Sequence, residues 1–340
     1  MAAPLYRALP LNYRTQYAEV QERAQAAGEL LPGTPGTLTL RSGTGYEYWY
    51  RRYKAVAQRE VEDLICSADD ESALAEMRAR IEFAQWMQDQ IKALRLLGYQ
   101  VGGKDAARVL VELHNRRLFE AGLVVVGTLA YMAWLNEHGA VAASASTEDI
   151  DLARRQRLRL AAALSLPSTM QALRLDFTPV PGMPNAAPAT SMKRPGAAGL
   201  RVDLLAPGAA LGRPVPVPEL QWHAASVPHF DYLLADARTA AVLAGGHCIP
   251  LHLPAPERFV WHKLYSSKAR TGNPSKAAKD VLQAATLAAV LVETADAELA
   301  RSAARAPAAL LNQARRTLPA LRRLLVGHAA TLLQFEEILA

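Results

Sequence analysis

Between residues 71 and 97, apolar side chains recur at Leu74, Met77, Ile81, Ala84, Met87, Ile91 and Leu94. Spacings of three and four put them on one face, which predicts a single long helix. Residues 13–30 and 104–120 predict two further helices. After the first of these comes the breaker Leu31-Pro32-Gly33-Thr34-Pro35-Gly36, then two short alternating runs at 37–41 and 46–50. Ser42-Gly43-Thr44-Gly45 separates the runs and is turn chemistry, so the pair predicts a β-hairpin.

The pattern changes at Gly122. Leu123-Val124-Val125-Val126 is a short β-branched run between two glycines and predicts a buried strand. A helix is predicted over 128–135, with Thr128 as its N-cap. Further strands are predicted at 149–152, 172–177 and 200–205. Ten of the 21 prolines lie between residues 167 and 218, so two long loops are expected at 178–199 and 206–218. From residue 255 the pattern is helical again: 255–270, 274–296 and two more helices. No internal repeat is visible.

Composition narrows the class. Apolar residues at 51% and charged residues at 21% exclude a wholly disordered chain. The net charge of +6 is a mild basic excess that suits an anionic partner. Only eight of the 38 basic residues are lysines, and four of those, Lys263, Lys268, Lys276 and Lys279, fall within one short stretch. Two cysteines far apart, Cys66 and Cys248, exclude a disulfide framework and a four-cysteine zinc site. The longest apolar run, 122–135, is shorter than the ~20 residues that span a bilayer. A cytoplasmic protein without membrane partners is therefore expected.

The candidate chemistry lies in three stretches: Val124-Val125-Val126-Gly127-Thr128, Thr147-Glu148-Asp149-Ile150-Asp151-Leu152 and Arg201-Val202-Asp203-Leu204-Leu205. Alternate side chains of a strand share a face, so Asp149 and Asp151 point the same way while Ile150 and Leu152 point into a core. Asp203, between Val202 and Leu204, repeats the arrangement. On adjacent strands the three carboxylates converge, and hard oxygen donors with open positions suit Mg²⁺. Two such ions could activate an attacking hydroxyl and stabilise leaving pyrophosphate. Gly127, between strand and helix, would let phosphate approach the backbone, where the helix start offers free N–H groups. Asp176, in Leu173-Arg174-Leu175-Asp176-Phe177, sits on a similar predicted strand and competes with Asp203 as the third carboxylate.

In this order the motifs resemble the DNA polymerase β-like nucleotidyltransferase superfamily. Within it the chain is similar to a bacterial family of nucleotidyltransferase-fold proteins of largely uncharacterised substrate. The core of the likeness covers about residues 120–210. It implies an α+β fold: a small mixed sheet flanked by helices, with an N-terminal helix and hairpin extension (1–70), a helical connector (71–120), a catalytic domain (121–250) and a C-terminal helical domain (251–340). It also implies transfer of a nucleoside monophosphate from an NTP, with two Mg²⁺ ions (or Mn²⁺) and release of pyrophosphate. Asp149 and Asp151 would hold both metals, and Asp203 would complete the site that activates the acceptor. Gly127 and Thr128 would hold the triphosphate, with Lys263 and Arg270 from the following helices. The acceptor hydroxyl could belong to RNA or tRNA, a protein or a small molecule, and some relatives act as toxins or defence components. A non-catalytic nucleotide-binding or nucleic-acid-binding regulator on the same fold is the alternative. Thr128 stands where Gly or Ser is commoner, and the twenty residues between Thr128 and Asp149 imply a longer helix or an inserted turn around 138–146.

Other features allow two readings each. Tyr46, Tyr48 and Tyr50 would line one face of the hairpin, with Arg51, Arg52 and Lys54 beyond. They suit either a stacking platform for single-stranded nucleic acid or cross-strand aromatic pairing. Lys276 and Lys279 read as a solvated helix face, with Lys276 paired to Asp280. His247, Cys248 and His252 lack a full zinc ligand set. The chain has no G-x-S-x-G, Walker or dinucleotide fingerprint, which disfavours hydrolase, P-loop and dehydrogenase functions.

Overall fold

A computed structural model of the chain describes residues 4–54, 60–143, 147–269, 272–294 and 299–340. The N-terminal part runs β1 (Tyr6–Ala8), α1 (Leu11–Ala26), β2 (Thr37–Gly43), β3 (Tyr46–Lys54), β4 (Glu60–Ser67), α2 (Glu71–Leu97) and α3 (Lys104–Asn115). The central part runs β5 (Val124–Val126), α4 (Gly127–Glu137), β6 (Ala140–Ala142), β7 (Asp149–Ala153), α5 (Leu166–Ala172), β8 (Thr178–Pro179), β9 (Ser191–Lys193) and β10 (Arg201–Pro207). It continues through β11 (Pro214–Val217), β12 (Trp222–Val227), α6 (Phe230–Leu233), β13 (Ala237–Ala244) and β14 (His247–Pro254). Helices close the chain: α7 (Pro256–Ala269), α8 (Pro274–Thr294), α9 (Leu299–Ala304), α10 (Ala308–Arg315), α11 (Leu318–Leu324) and α12 (Ala329–Leu339). The fold is α+β, with sheets flanked by helices and a helical C-terminal region. Among the described residues, no helix is long and apolar enough to cross a membrane.

The main sheet has the order β11-β12-β10-β7-β5, with β9 also on β10 and β8 on β9. It is mixed: β10 runs parallel to β7 and β12, while β5 is antiparallel to β7. Val124, Val125 and Val126 are all buried, with β7, β14 and α4 packed around β5. In β7 and β10 the apolar positions Ile150, Leu152, Val202 and Leu204 are buried and the residues between them face a cavity. One apolar core runs from these strands through α3 and α4 into α7, α8, α10 and α12. A second cluster joins α1 and α2 to the β13–β14 hairpin.

The 71–97 helix forms as its period dictates. The Asp70 carboxylate accepts from the Ala73 N–H at 2.9 Å, and Gly98 ends the helix at φ 104°. Other expectations need correction. The helix expected at 104–120 stops at Asn115, whose side chain accepts from the Leu30 N–H and donates to the Leu30 carbonyl. Thr128 is not an N-cap: α4 begins one residue earlier at Gly127, after Val126, with no side-chain cap. The 172–177 strand does not form. Ser165 caps α5 instead, and Arg174 and Asp176 take left-handed backbone conformations that still bury Leu173, Leu175 and Phe177. The hairpin at 37–50 gains a third strand, β4. The expected long loops carry the short strands β8, β9 and β11, and among the described residues four helices follow α8 rather than two. The extra residues between α4 and β7 hold β6, which pairs with β1 and ties the N-terminal segment to the central part.

Candidate active site

The parallel register of β7 and β10 decides which side chains meet. Asp203 lies opposite Asp151, and Arg201 lies opposite Asp149. On the other side of β7, Val126 lies opposite Asp151, so the chain turns into α4 beside that carboxylate. Gly127 makes the turn at φ 70°, and a Cβ there would collide with the Asp151 carboxylate. Only glycine serves both demands, a left-handed backbone and an oxygen against its Cα. The first turn of α4 has neither a side-chain cap nor an acidic residue, and its N–H groups open at the end of β5.

Asp151 and Asp203 form one end of a cavity of about 520 Å³. The opposite wall comes from α7 and α8 and brings His262, Lys263, Ser266 and Lys276, while Phe230, Phe259 and Tyr265 make much of the remainder apolar. Burial and then the neighbouring Asp203 charge push the Asp151 carboxyl up to about 6, against the pull of Lys263. Asp203 accepts from the Ser191 hydroxyl and from Arg201 Nε, the latter at 2.8 Å, and Arg201 Nη2 also donates to Ser191 Oγ at 2.8 Å. Lys263 Nζ donates to Asp280 Oδ1 at 2.7 Å, both groups lying largely out of solvent. Lys276 Nζ stands 3.9 Å from Asp149 Oδ2. Burial lowers His262 to about 4, so it is neutral near pH 7. The Pro228 carbonyl, 3.2 Å from Nε2, can only accept, which places the ring hydrogen on Nε2.

The structure thus brings Asp149, Asp151 and Asp203 to one face, sets Gly127 against Asp151, and places Lys263 across the cavity. Thr128 is half-buried in the first turn of α4 and outside the cavity lining. Arg270 lies outside the described residues. Asp176 is exposed, on no strand, and away from the cavity. Sequence reasoning missed three side chains. Lys276 is not paired with Asp280, which Lys263 takes; it faces Asp149 instead. Arg201 was legible as a same-face neighbour two residues before Asp203. Ser191 had no signal, because β9 itself was not predicted.

The tyrosines of β3 lie on a sheet whose three arginines are engaged, while Lys54 at the end of β3 is exposed. Arg51 points inward to the carbonyls of Pro32, Thr34 and Pro35, Arg52 pairs with Glu60, and Arg41 pairs with Glu62. Tyr46 and Tyr48 pack against each other at 5.7 Å. His247 and His252 bond to the carbonyls of Leu31 and Phe119. Among the described residues no three His, Cys, Asp or Glu side chains come together as a group that could hold a metal ion, and of the three carboxylates of β7 and β10 only Asp151 and Asp203 line the cavity.

The chain is similar to a solved structure, that of an antigenic nucleotidyltransferase-like protein from Paracoccidioides brasiliensis. It is 17% identical over 64% of this chain and 91% of that one, with a TM-score of 0.31. No curated protein matches. Residues 104–308, from the start of α3 to the start of α10, match the family described as Nucleotidyltransferase. That span is more than half of the chain and contains every strand of the carboxylate site, so the protein belongs to this nucleotidyltransferase family.

Proposed function

We propose that the protein transfers a nucleoside monophosphate from an NTP to a hydroxyl of an acceptor, as in the DNA polymerase β-like superfamily. The acceptor oxygen bonds to the α-phosphorus while the bond from that phosphorus to its bridging oxygen breaks, and pyrophosphate leaves. The observation that carries this reading is the register that sets Asp203 beside Asp151 at the mouth of the α4 N-terminus.

The residues fit a divalent cation in kind. The donors are carboxylate oxygens, one of them crowded by burial and a like charge, and a Cβ at 127 would fill the gap at their edge. Asp149, Asp151 and Asp203 would hold Mg²⁺ or Mn²⁺, which supplies neutralisation of phosphate charge and activation of the acceptor hydroxyl. Gly127 lets the triphosphate approach the backbone, and the N–H groups of the first turn of α4, that of Thr128 among them, donate to it. Lys263, held in place by Asp280, faces the same space, and Arg270 is the second cation proposed for the triphosphate. Arg201 and Lys276 hold Asp203 and Asp149 in the meantime and turn to phosphate oxygens once NTP is bound. The apolar wall of Phe230, Phe259 and Tyr265 offers a surface for the base.

The experiment is to incubate purified protein with each α-phosphate-labelled NTP, Mg²⁺ or Mn²⁺, and cellular RNA or protein. Label is expected on an acceptor with metal and none after chelation. Absence of label with every NTP and both acceptor pools would sink the reading for those pools.

A further inference from the structure

Beside the carboxylate cavity, a second depression of about 500 Å³ lies between α7, α8 and α11. Three cations reach it, Lys268 from α7, Lys279 from α8 and Arg323 from α11, and no Asp or Glu lines it among the described residues. Arg322 is paired with Glu336, whereas Lys268 and Arg323 have no ion-pair partner among the described residues. Leu282 and Leu324 give the groove an apolar floor, and Leu282 is 38% exposed.

The groove and the cavity meet at the facing ends of α7 and α8. Ala269 and Lys276 line the cavity, while their chain neighbours Lys268 and Ala277 line the groove. Lys279 is within electrostatic reach of Lys263, Asp280, Lys276 and Asp149, so among the described residues Lys268 and Arg323 are the cations the groove offers without an acid beside them. Most of the chain's net positive charge lies in its C-terminal segment. Residues 255–340 carry twelve Lys and Arg against seven Asp and Glu, whereas residues 1–70 carry eight against nine. The tyrosine-bearing sheet carries Arg41, Arg51, Arg52 and Lys54 against Glu47, Glu60, Glu62 and Asp63 and so has no excess charge for a polyanion, whereas the C-terminal helices do.

We propose that this groove binds the phosphodiester backbone of a nucleic-acid acceptor and leads its hydroxyl-bearing end to the carboxylates, an inference that rests on the transferase reading. Cations without interleaved acids release counterions from a phosphate chain, which is the main source of affinity for such a ligand. An acidic peptide offers similar charge, but a phosphodiester chain carries one charge on every unit and a condensed counterion atmosphere, so it gains more from cations set in a lining without acids. The position is also suited to an acceptor, because a strand in the groove passes the cavity mouth.

The test is fluorescence anisotropy of labelled single-stranded RNA, and of DNA of the same sequence, with wild type and Lys268→Ala/Arg323→Ala across a range of salt. Neither side chain is buried and alanine favours helix, so the variant should melt like wild type. Removal of two phosphate contacts is expected to weaken binding about tenfold at low salt and to make the slope of log affinity against log salt shallower by about 1.4. Polyglutamate should fail to displace the bound strand, and the tighter of the RNA and DNA arms identifies the acceptor's source. Unchanged affinity and slope, or displacement by polyglutamate at equal charge, would overturn the proposal. Binding is read without turnover, so a weakened variant stands even where no label is transferred. Transfer by a protein whose binding the variant leaves unchanged would reject the groove and keep the transferase.

Discussion

A protein carrying Asp149→Ala together with Asp151→Ala is expected to fold normally and to lose transfer by a factor on the order of a thousand or more. The two effects separate for a physical reason. Ile150 and Leu152 bind β7 to the core, and both stay. Asp151 faces Asp203 across the sheet, so its removal relieves a like-charge contact, and no hydrogen bond to its carboxylate is present among the described residues. Asp149 loses only Lys276, a half-exposed partner at 3.9 Å. Thermal unfolding should therefore occur at the wild-type temperature or slightly above it. Label transfer and a melting curve on the same preparation check both halves, and a variant that transfers label at the wild-type rate would remove these residues from the chemistry.

Gly127→Ala should act through geometry rather than charge. The residue sits at φ 70°, where a side chain costs about 1–3 kcal/mol, and its new Cβ would displace the Asp151 carboxylate. A displacement on the scale of 1 Å in a positioned group costs about a hundredfold in rate. The variant is expected to be destabilised by that 1–3 kcal/mol in urea denaturation and to lose about a hundredfold in kcat. Wild-type kcat in the alanine variant would mean that the close approach of Gly127 to Asp151 has no part in the reaction.

Much of the site was legible because its logic is local. Period-two alternation in Asp149-Ile150-Asp151-Leu152 and Arg201-Val202-Asp203-Leu204 states which side chains are buried, and the structure buries those. What could not be read is the parallel register that sets Asp203 beside Asp151, because it is a property of two strands nearly fifty residues apart in sequence. The Leu173-Arg174-Leu175-Asp176-Phe177 stretch shows how alternation misleads. Left-handed turns at Arg174 and Asp176 bury the same three apolar residues without any strand. Lys276 was misplaced because a helix surface position says nothing about a partner on another element. The β13 strand went unread since Ala240 and Ala241, fully buried, carry no β-branched signal.

The central claim is that Asp149, Asp151 and Asp203, not Asp176, make one nucleotide-binding centre. Calorimetric titration of NTP into wild type, Asp203→Asn and Asp176→Asn, each with Mg²⁺ and with chelator, tests it most directly. The expected result is Mg²⁺-dependent NTP binding by wild type and Asp176→Asn, and loss of the Mg²⁺-dependent part in Asp203→Asn. Mg²⁺-dependent binding that survives in Asp203→Asn and disappears in Asp176→Asn would contradict the account.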